Sequence, residues 1–358
     1  MKYFVSILVG LSLICSCVSL KDDDADRLQA RIDALEDSVR VLVIDRDVVL
    51  DRALLLPSHT LVIIDDCTVK QADGCFDNVF RGANVALKDD DPAWIPDSIA
   101  TLEDIRIIGK GNARIVGPDR NRTLGTRFMT GDGFGGRVNM LNFCFVNNME
   151  VSGLRFERTR GYAINFEYCE DVAVHDIAVY NMDMDRNRYG NGDGVDIRSG
   201  CRKFRVWNIV GESEDDLVAI NSFTDYSRLP GGYPLEFSHK MGIRLCADDP
   251  RAADIYNVKV ENVVKDGGQF HAVILFPQYG HRIHDVRIFD VEIKGRPRRP
   301  TAHGGPGWVA IYSYRPETVS PGDVYNVTVD GVHNHSDIPL PCFYSQFDCN
   351  NISVSNLL

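Results

Sequence analysis

The sequence predicts an all-β fold: a single-stranded right-handed parallel β-helix with a short N-terminal capping helix. Three observations carry that prediction. After the first forty or so residues almost no helical periodicity remains, only short strands between turns. An apolar-x-x-apolar unit then recurs, starting at Val151, Val174, Val206, Val260, Ile288, Val329 and Val354, with spacings of 23, 32, 54, 28, 41 and 25 residues. Two more positions keep step with it. Two residues after each start stand Gly153, Asp176, Asn208, Asn262, Asp290, Gly331 and Asn356, residue types that tolerate left-handed backbone. Five residues before each start stand Val146, Cys169, Cys201, Ile255, Ile283, Val324 and Cys349, an apolar column. Isolated hairpins would not hold seven members of each column in register. Coils stacked about 4.8 Å apart would. The spacing of 54 reads as two turns.

Taken in order, the chain of 358 residues begins with Met1-Lys2 and an apolar run from Phe4 to Ile14. That run has the length of a signal-peptide core and is too short to cross a bilayer. Ile14-Cys15-Ser16-Cys17 resembles the lipobox of bacterial lipoproteins, which makes residues 1–16 a signal and Cys17 the lipidated terminus. Lys21 and Asp22 to Asp24 resemble the surface-export signals of Bacteroidetes lipoproteins. An ordinary signal peptide is the alternative, and both mean export. No later segment is long and apolar enough to span a membrane. The expected destination is the outer membrane, on its periplasmic or surface side.

Residues 17–27 read as a tether. Leu28, Ile32, Leu35, Val39 and Leu42 alternate by four and three, so 28–42 reads as a helix capping the coil, and 43–358 as the β-helix itself. Ile105 to Gly111 reads as an early turn. Long insertions are expected near 118–137, 183–192, 223–240 and 295–307, where solenoid loops commonly build a groove. Cys169 and Cys201 read as buried thiols that pack as hydrophobes. The formal charge, from 39 Lys+Arg against 51 Asp+Glu, is −12, which argues against a nucleic-acid partner. No Cys/His pairing has metal spacing, no cofactor is implied, and a monomer is expected.

Each turn also shows a second strand, clearest at Gly194–Arg198, Leu217–Asn221, Gly242–Leu245, Ala272–Leu275 and Trp308–Tyr312. Alternation turns Val195/Ile197, Val218/Ile220 and Ile243/Leu245 inward, and Asp196, Ala219 and Arg244 outward. In the same alignment Asp193 and Asp216 share one slot on adjacent turns, with Asp215 beside them, and His271 falls in that slot further on. Three carboxylates so close should repel and raise at least one pKa. Such a set suits an inverting glycosidase, which needs an acid and a base about 6.5–9.5 Å apart. A solvated acidic turn is the plain alternative.

Asn191-Gly-Asp193-Gly-Val-Asp196 followed by Asp215-Asp216-Leu-Val-Ala-Ile220 resembles the polygalacturonases of glycoside hydrolase family 28, a family with the pectin lyase-type fold. The resemblance is specific at 191–221. It implies an inverting hydrolase acting on a polysaccharide or oligosaccharide, with Asp215 as general acid and Asp193 and Asp216 positioning and deprotonating water. It implies substrate contacts from Asn191, Asp196, His239, Arg244, His271 and Tyr312. Two departures stand out. The family's Gly-His-Gly is matched only loosely by His239, with His271 as its rival. Its carboxylate-clasping Arg-Ile-Lys aligns with Ile274-Leu275-Phe276, which holds no cation, although Arg198, Lys240 and Arg244 are nearby substitutes. Tyr312 and Tyr314 fall on the turn of a sugar-stacking tyrosine. A calcium-dependent polysaccharide lyase using Asp183, Asp185, Asp193 and Asp196, and a non-catalytic glycan-binding β-helix, remain open.

Overall fold

A computed structural model describes residues 24–35, 39–88, 91, 94–119, 137, 139–159, 161–181, 192–222, 224–229, 236–295 and 306–358. Among these residues two parallel sheets run the length of the molecule. The long sheet is ordered along the chain, from Arg40–Ile44 through Glu170–Tyr180, Arg202–Ser213, Ile255–Gly268 and Ile283–Ile293 to Asn350–Leu357. The short sheet passes through Ile164–Glu167, Val195–Arg198, Val218–Asn221, Val273–Phe276 and Val309–Ile311. Every pairing along both sheets is parallel, and each strand pairs with its counterpart one coil away. The fold is therefore the parallel β-helix expected.

The columns hold residue by residue. Val151 faces Val174, then Val206, Val260, Ile288, Val329 and Val354 in turn. The bend positions Gly153, Asp176, Asn208, Asn262, Asp290, Gly331 and Asn356 all have φ between 50° and 72°. Side-chain amides tie these bends together: Asn208 donates to Asp176 at 2.8 Å and Asn262 to Asn208 at 2.7 Å. The apolar column supplies the core, where burying one Val or Ile stabilises by about 1.5–3 kcal/mol. Cys169 and Cys201 are both free and fully buried within it.

Two expectations need correction. The capping helix, α1, runs over Asp24–Asp33 rather than 28–42. It buries Ala25, Leu28 and Ile32, while Leu35 and Val39 are exposed and Leu42 already belongs to the first strand. Gln29 completes the cap: it accepts from Leu55 N at 2.7 Å and donates to Leu55 O at 3.2 Å, satisfying backbone that no earlier turn can reach.

The second correction concerns Gly242–Leu245, which is not a strand. It lies within a helix, α2, His239–Asp248. Arg202–Ser213 pairs directly with Ile255–Gly268, so the spacing of 54 is one turn carrying an insertion. Four alternating residues cannot distinguish a strand from one face of a helix. Here Ile243, Leu245 and Cys246 pack with Tyr168 and Tyr226. Gly242 allows that approach, because a Cβ there would stand 2.1 Å from the Tyr226 ring.

Candidate active site

The short sheet begins where the long sheet's turns end, and the carboxylates sit at that junction. Asp193, Asp216 and His271 occupy one slot on three successive turns, and each carboxylate caps the turn that follows. Asp216 N donates to Asp193 Oδ1 at 2.9 Å, and His271 N donates to Asp216 Oδ1 at 2.9 Å. His271 Nδ1 also lies 2.6 Å from Asp216 Oδ1, so the tautomer protonated there donates to it. Asp215 completes the group: one oxygen from each of Asp193, Asp215 and Asp216 lies within 4.8 Å of the others. That is closer than the ~6.5–9.5 Å expected for an acid–base pair flanking a water. The distance alone therefore does not assign a stereochemical class.

Burial dominates the electrostatics. It pushes the Asp193 carboxyl well above the usual range, and the charges of Asp196, Asp215 and Asp216 add to it. Asp215 is raised well above its usual range by burial and then by Asp216, with Lys265 opposing. Asp196 rises to about 7 through burial, with the Arg198 guanidinium resisting. The mutual interaction of the Asp193 and Asp196 side chains raises Asp193 and lowers Asp196. Asp196 also accepts from Asn221 Nδ2 at 2.7 Å. The cluster thus holds buried carboxyls whose hold on protons is strengthened.

The structure divides the remaining expected residues. Asp196 and His271 join the three acids. His239 does not: it opens α2, with Nε2 2.9 Å from Arg228 O. Arg244, also on α2, is exposed and donates to Asp97 O at 3.3 Å. Tyr312 lies two turns beyond Asp216, its ring centroid 6.4 Å from Phe276. Asn191, Cys17, Asp183 and Asp185 lie outside the described residues.

Recounting the turns shifts both departures. With 242–245 in a helix, the turn after Asp215-Asp216 is the one that carries His271. His271 therefore stands one turn beyond the acids, whereas His239 lies on the inserted helix. The turn after that is Val309–Ile311, so the Arg-Ile-Lys place moves from Ile274-Leu275-Phe276 to Ala310-Ile311-Tyr312. Neither stretch holds a cation. Together Ala219, Ile274, Phe276 and Ala310, with Tyr312 against them, form an apolar wall. The nearby cations suggested as substitutes are engaged elsewhere: Arg198 with Glu236 at 2.8 Å and Lys240 with Asp97 at 2.6 Å.

Sequence reasoning missed Lys265, a fully buried lysine whose Nζ donates to Asp215 O at 2.9 Å. Its signal was available. Five residues after the starts of the repeating unit stand Phe156, Val179, Gly211, Lys265 and Ile293, a core column interrupted by one charge. Tyr314 gains weight as well. It is 64% exposed overall and leans on Phe276 with centroids 4.5 Å apart. Crowding at its hydroxyl, and then the charges of Asp215, Asp216 and Asp193, raise it above the usual tyrosine range.

The family model for glycosyl hydrolases family 28 matches residues 106–230, which bears out the resemblance read at 191–221 and supports a glycan-acting hydrolase. No curated protein matches the chain. Among solved structures, the chain is similar to a 1,3-α-1,4-β-D-galactose-4-sulfate-3,6-anhydro-D-galactose-2-sulfate 4 galactohydrolase, with a TM-score of 0.56 at 11% identity over 94% of this chain and 83% of that one. It is also similar to an iota-carrageenase complexed to iota-carrageenan fragments, with a TM-score of 0.51 at 11% identity over 94% of this chain and 85% of that one. At such identities the likeness speaks to the fold, a right-handed parallel β-helix.

Proposed function

We propose that the protein is an inverting glycoside hydrolase acting on a polysaccharide or oligosaccharide. The observation that carries this reading is the convergence of Asp193, Asp215 and Asp216, backed in register by His271. Asp215, held protonated by burial and by Asp216, gives its proton to the glycosidic oxygen as the bond to the anomeric carbon breaks. Water attacks from the opposite side and loses its proton to the Asp216–Asp193 pair. Asp216 uses Oδ1 for the two donors of His271, which leaves Oδ2 to meet that water. A proton then returns to Asp215, and the cluster is reset. Inversion rests on the family resemblance.

The apolar wall at Ile274, Phe276 and Ala310 supports a substrate other than plain polygalacturonate, since burying a uronate carboxylate against it without a cation would be costly. The lipobox-like Ile14 to Cys17 supports export and anchoring through Cys17. Fractionating cells that express wild type or Cys17→Ala tests the anchor: loss of the protein from membranes is expected in the variant.

The deciding experiment screens a glycan panel with wild type beside Asp215→Asn. New reducing ends from wild type alone, with an inverted anomer by NMR, are expected. Chelator-sensitive absorbance near 235 nm would instead mean a lyase, and equal behaviour of the two proteins would leave a non-catalytic binder.

A further inference from the structure

A β-helix core needs no charge, so a lysine with none of its surface exposed calls for a cause. Lys265 stands in a core column between Gly211 on one neighbouring turn and Ile293 on the other. Its ammonium donates to three acceptors: Ser213 Oγ at 2.6 Å, Asp215 O at 2.9 Å and Gln269 O. All three of its donors are thereby used. Ser213 Oγ in turn donates to Asp215 O at 2.7 Å. Ser213 and Asp215 lead into Asp216, whereas Gln269 leads into His271. One amine therefore fastens the two turns whose side chains form the Asp216–His271 pair. The charged groups that face it are Asp216, Asp215 and Asp193, and their attraction offsets a burial that still draws Lys265 down to about 8.

We infer that Lys265 is a positioning residue for the carboxylate cluster, clamping the Asp215 backbone to the following turn and placing one positive charge against the three acids. It acts through those acids and does not touch substrate. For its kinetic consequences the inference rests on the hydrolase reading; for the coupling itself it does not.

Lys265→Met keeps the length of the side chain and removes the charge and the three hydrogen bonds. Per folded molecule, kcat should fall at least about tenfold with KM nearly unchanged. A cation favours ionised carboxylates, so its loss raises their pKa values, and the acid limb of the kcat–pH profile should move up by about one unit. A purely structural lysine would lower stability and leave that limb in place, which would overturn the inference.

A second measurement needs neither activity nor a folded Lys265 variant. The ¹⁵Nζ titration of Lys265 is followed by NMR in wild type and in Asp216→Asn, where the Asp215 backbone acceptor survives and the facing carboxylate is gone. The lysine midpoint should drop by about one unit in Asp216→Asn, because the anion that raised it most has been removed. An unchanged midpoint sinks the coupling, whether or not any glycan is cleaved. Failure of the glycan screen with a shifted midpoint would fault the hydrolase reading alone.

Discussion

Two stretches of the short sheet share one backbone geometry and carry opposite chemistry. On Val195–Arg198 the outward positions are Asp196 and Arg198; in the same register on Val273–Phe276 they are Ile274 and Phe276. Between them, Ala219 and Asn221 make the transition. The first stretch stands beside the crowded carboxyls, the second beside aromatic rings. The contrast teaches that the coil fixes where a side chain points and leaves its chemistry free, so reaction and recognition can be set on separate turns. On the proposed reading, the polar stretch acts on the bond and the apolar stretch selects what lies next to it.

That division can be broken from either side. The largest effect is expected at the acid: Asp215→Asn should lower kcat by about 10³-fold, measured as reducing ends released, while retaining glycan binding by calorimetry. Removing His271 should cost less. His271→Ala, which leaves Asp216 without its ring partner, is expected to lower kcat about 10- to 100-fold, and His239→Ala should leave kcat per folded molecule alone. Equal losses in the two variants would undo the assignment of His271.

On the apolar side, Tyr312→Lys places a cation where the family resemblance implies one. It should raise the kcat/KM ratio for uronate over neutral oligosaccharides about tenfold, the equivalent of one well-placed charge. No change in that ratio would mean that selection lies elsewhere. The smallest effect is on stability. Asp196 titrates at about 7 when folded, against roughly 3.9 unfolded, so between those values the folded state holds the extra proton. Its contribution to stability is therefore present below about pH 4 and lost as pH rises towards 7. Urea midpoints across that range should fall less steeply in Asp196→Asn.

Much of this was legible in the sequence because a β-helix writes each position many times. Seven bend residues and seven core residues agreed, so Asp193, Asp216 and His271 could be placed in one slot from spacing alone. Features that occur once were not legible. α2 was hidden because Gly242 to Leu245 alternates over too few residues to separate a helix from a strand. Counting that segment as a turn displaced the Arg-Ile-Lys place by one coil and put His239, which opens α2, on the coil itself. Lys265 was visible as an odd member of its column, but an inward lysine has meaning only when its acceptors are known. The extent of α1 misled for another reason. The four-and-three rhythm of Leu35, Val39 and Leu42 continues past the helix end into a strand, where pairing with Thr60–Asp65 overrides it.

The turn between Val206 and Val260 holds 54 residues where a neighbouring turn needs 28, yet the strands on either side stay in register from Arg202 to Gly211 and shift by one residue only between Gly211 and Ser213. Alignment is specified anew on every coil, so lengthening one loop disturbs nothing above or below it. A scaffold of this kind separates two rates of evolutionary change: loops can be enlarged, exchanged or trimmed as available sugars differ, while the distances among the acids stay inherited. Substrate range should therefore drift quickly among relatives of this protein, and the spacing of Asp193, Asp215 and Asp216 slowly.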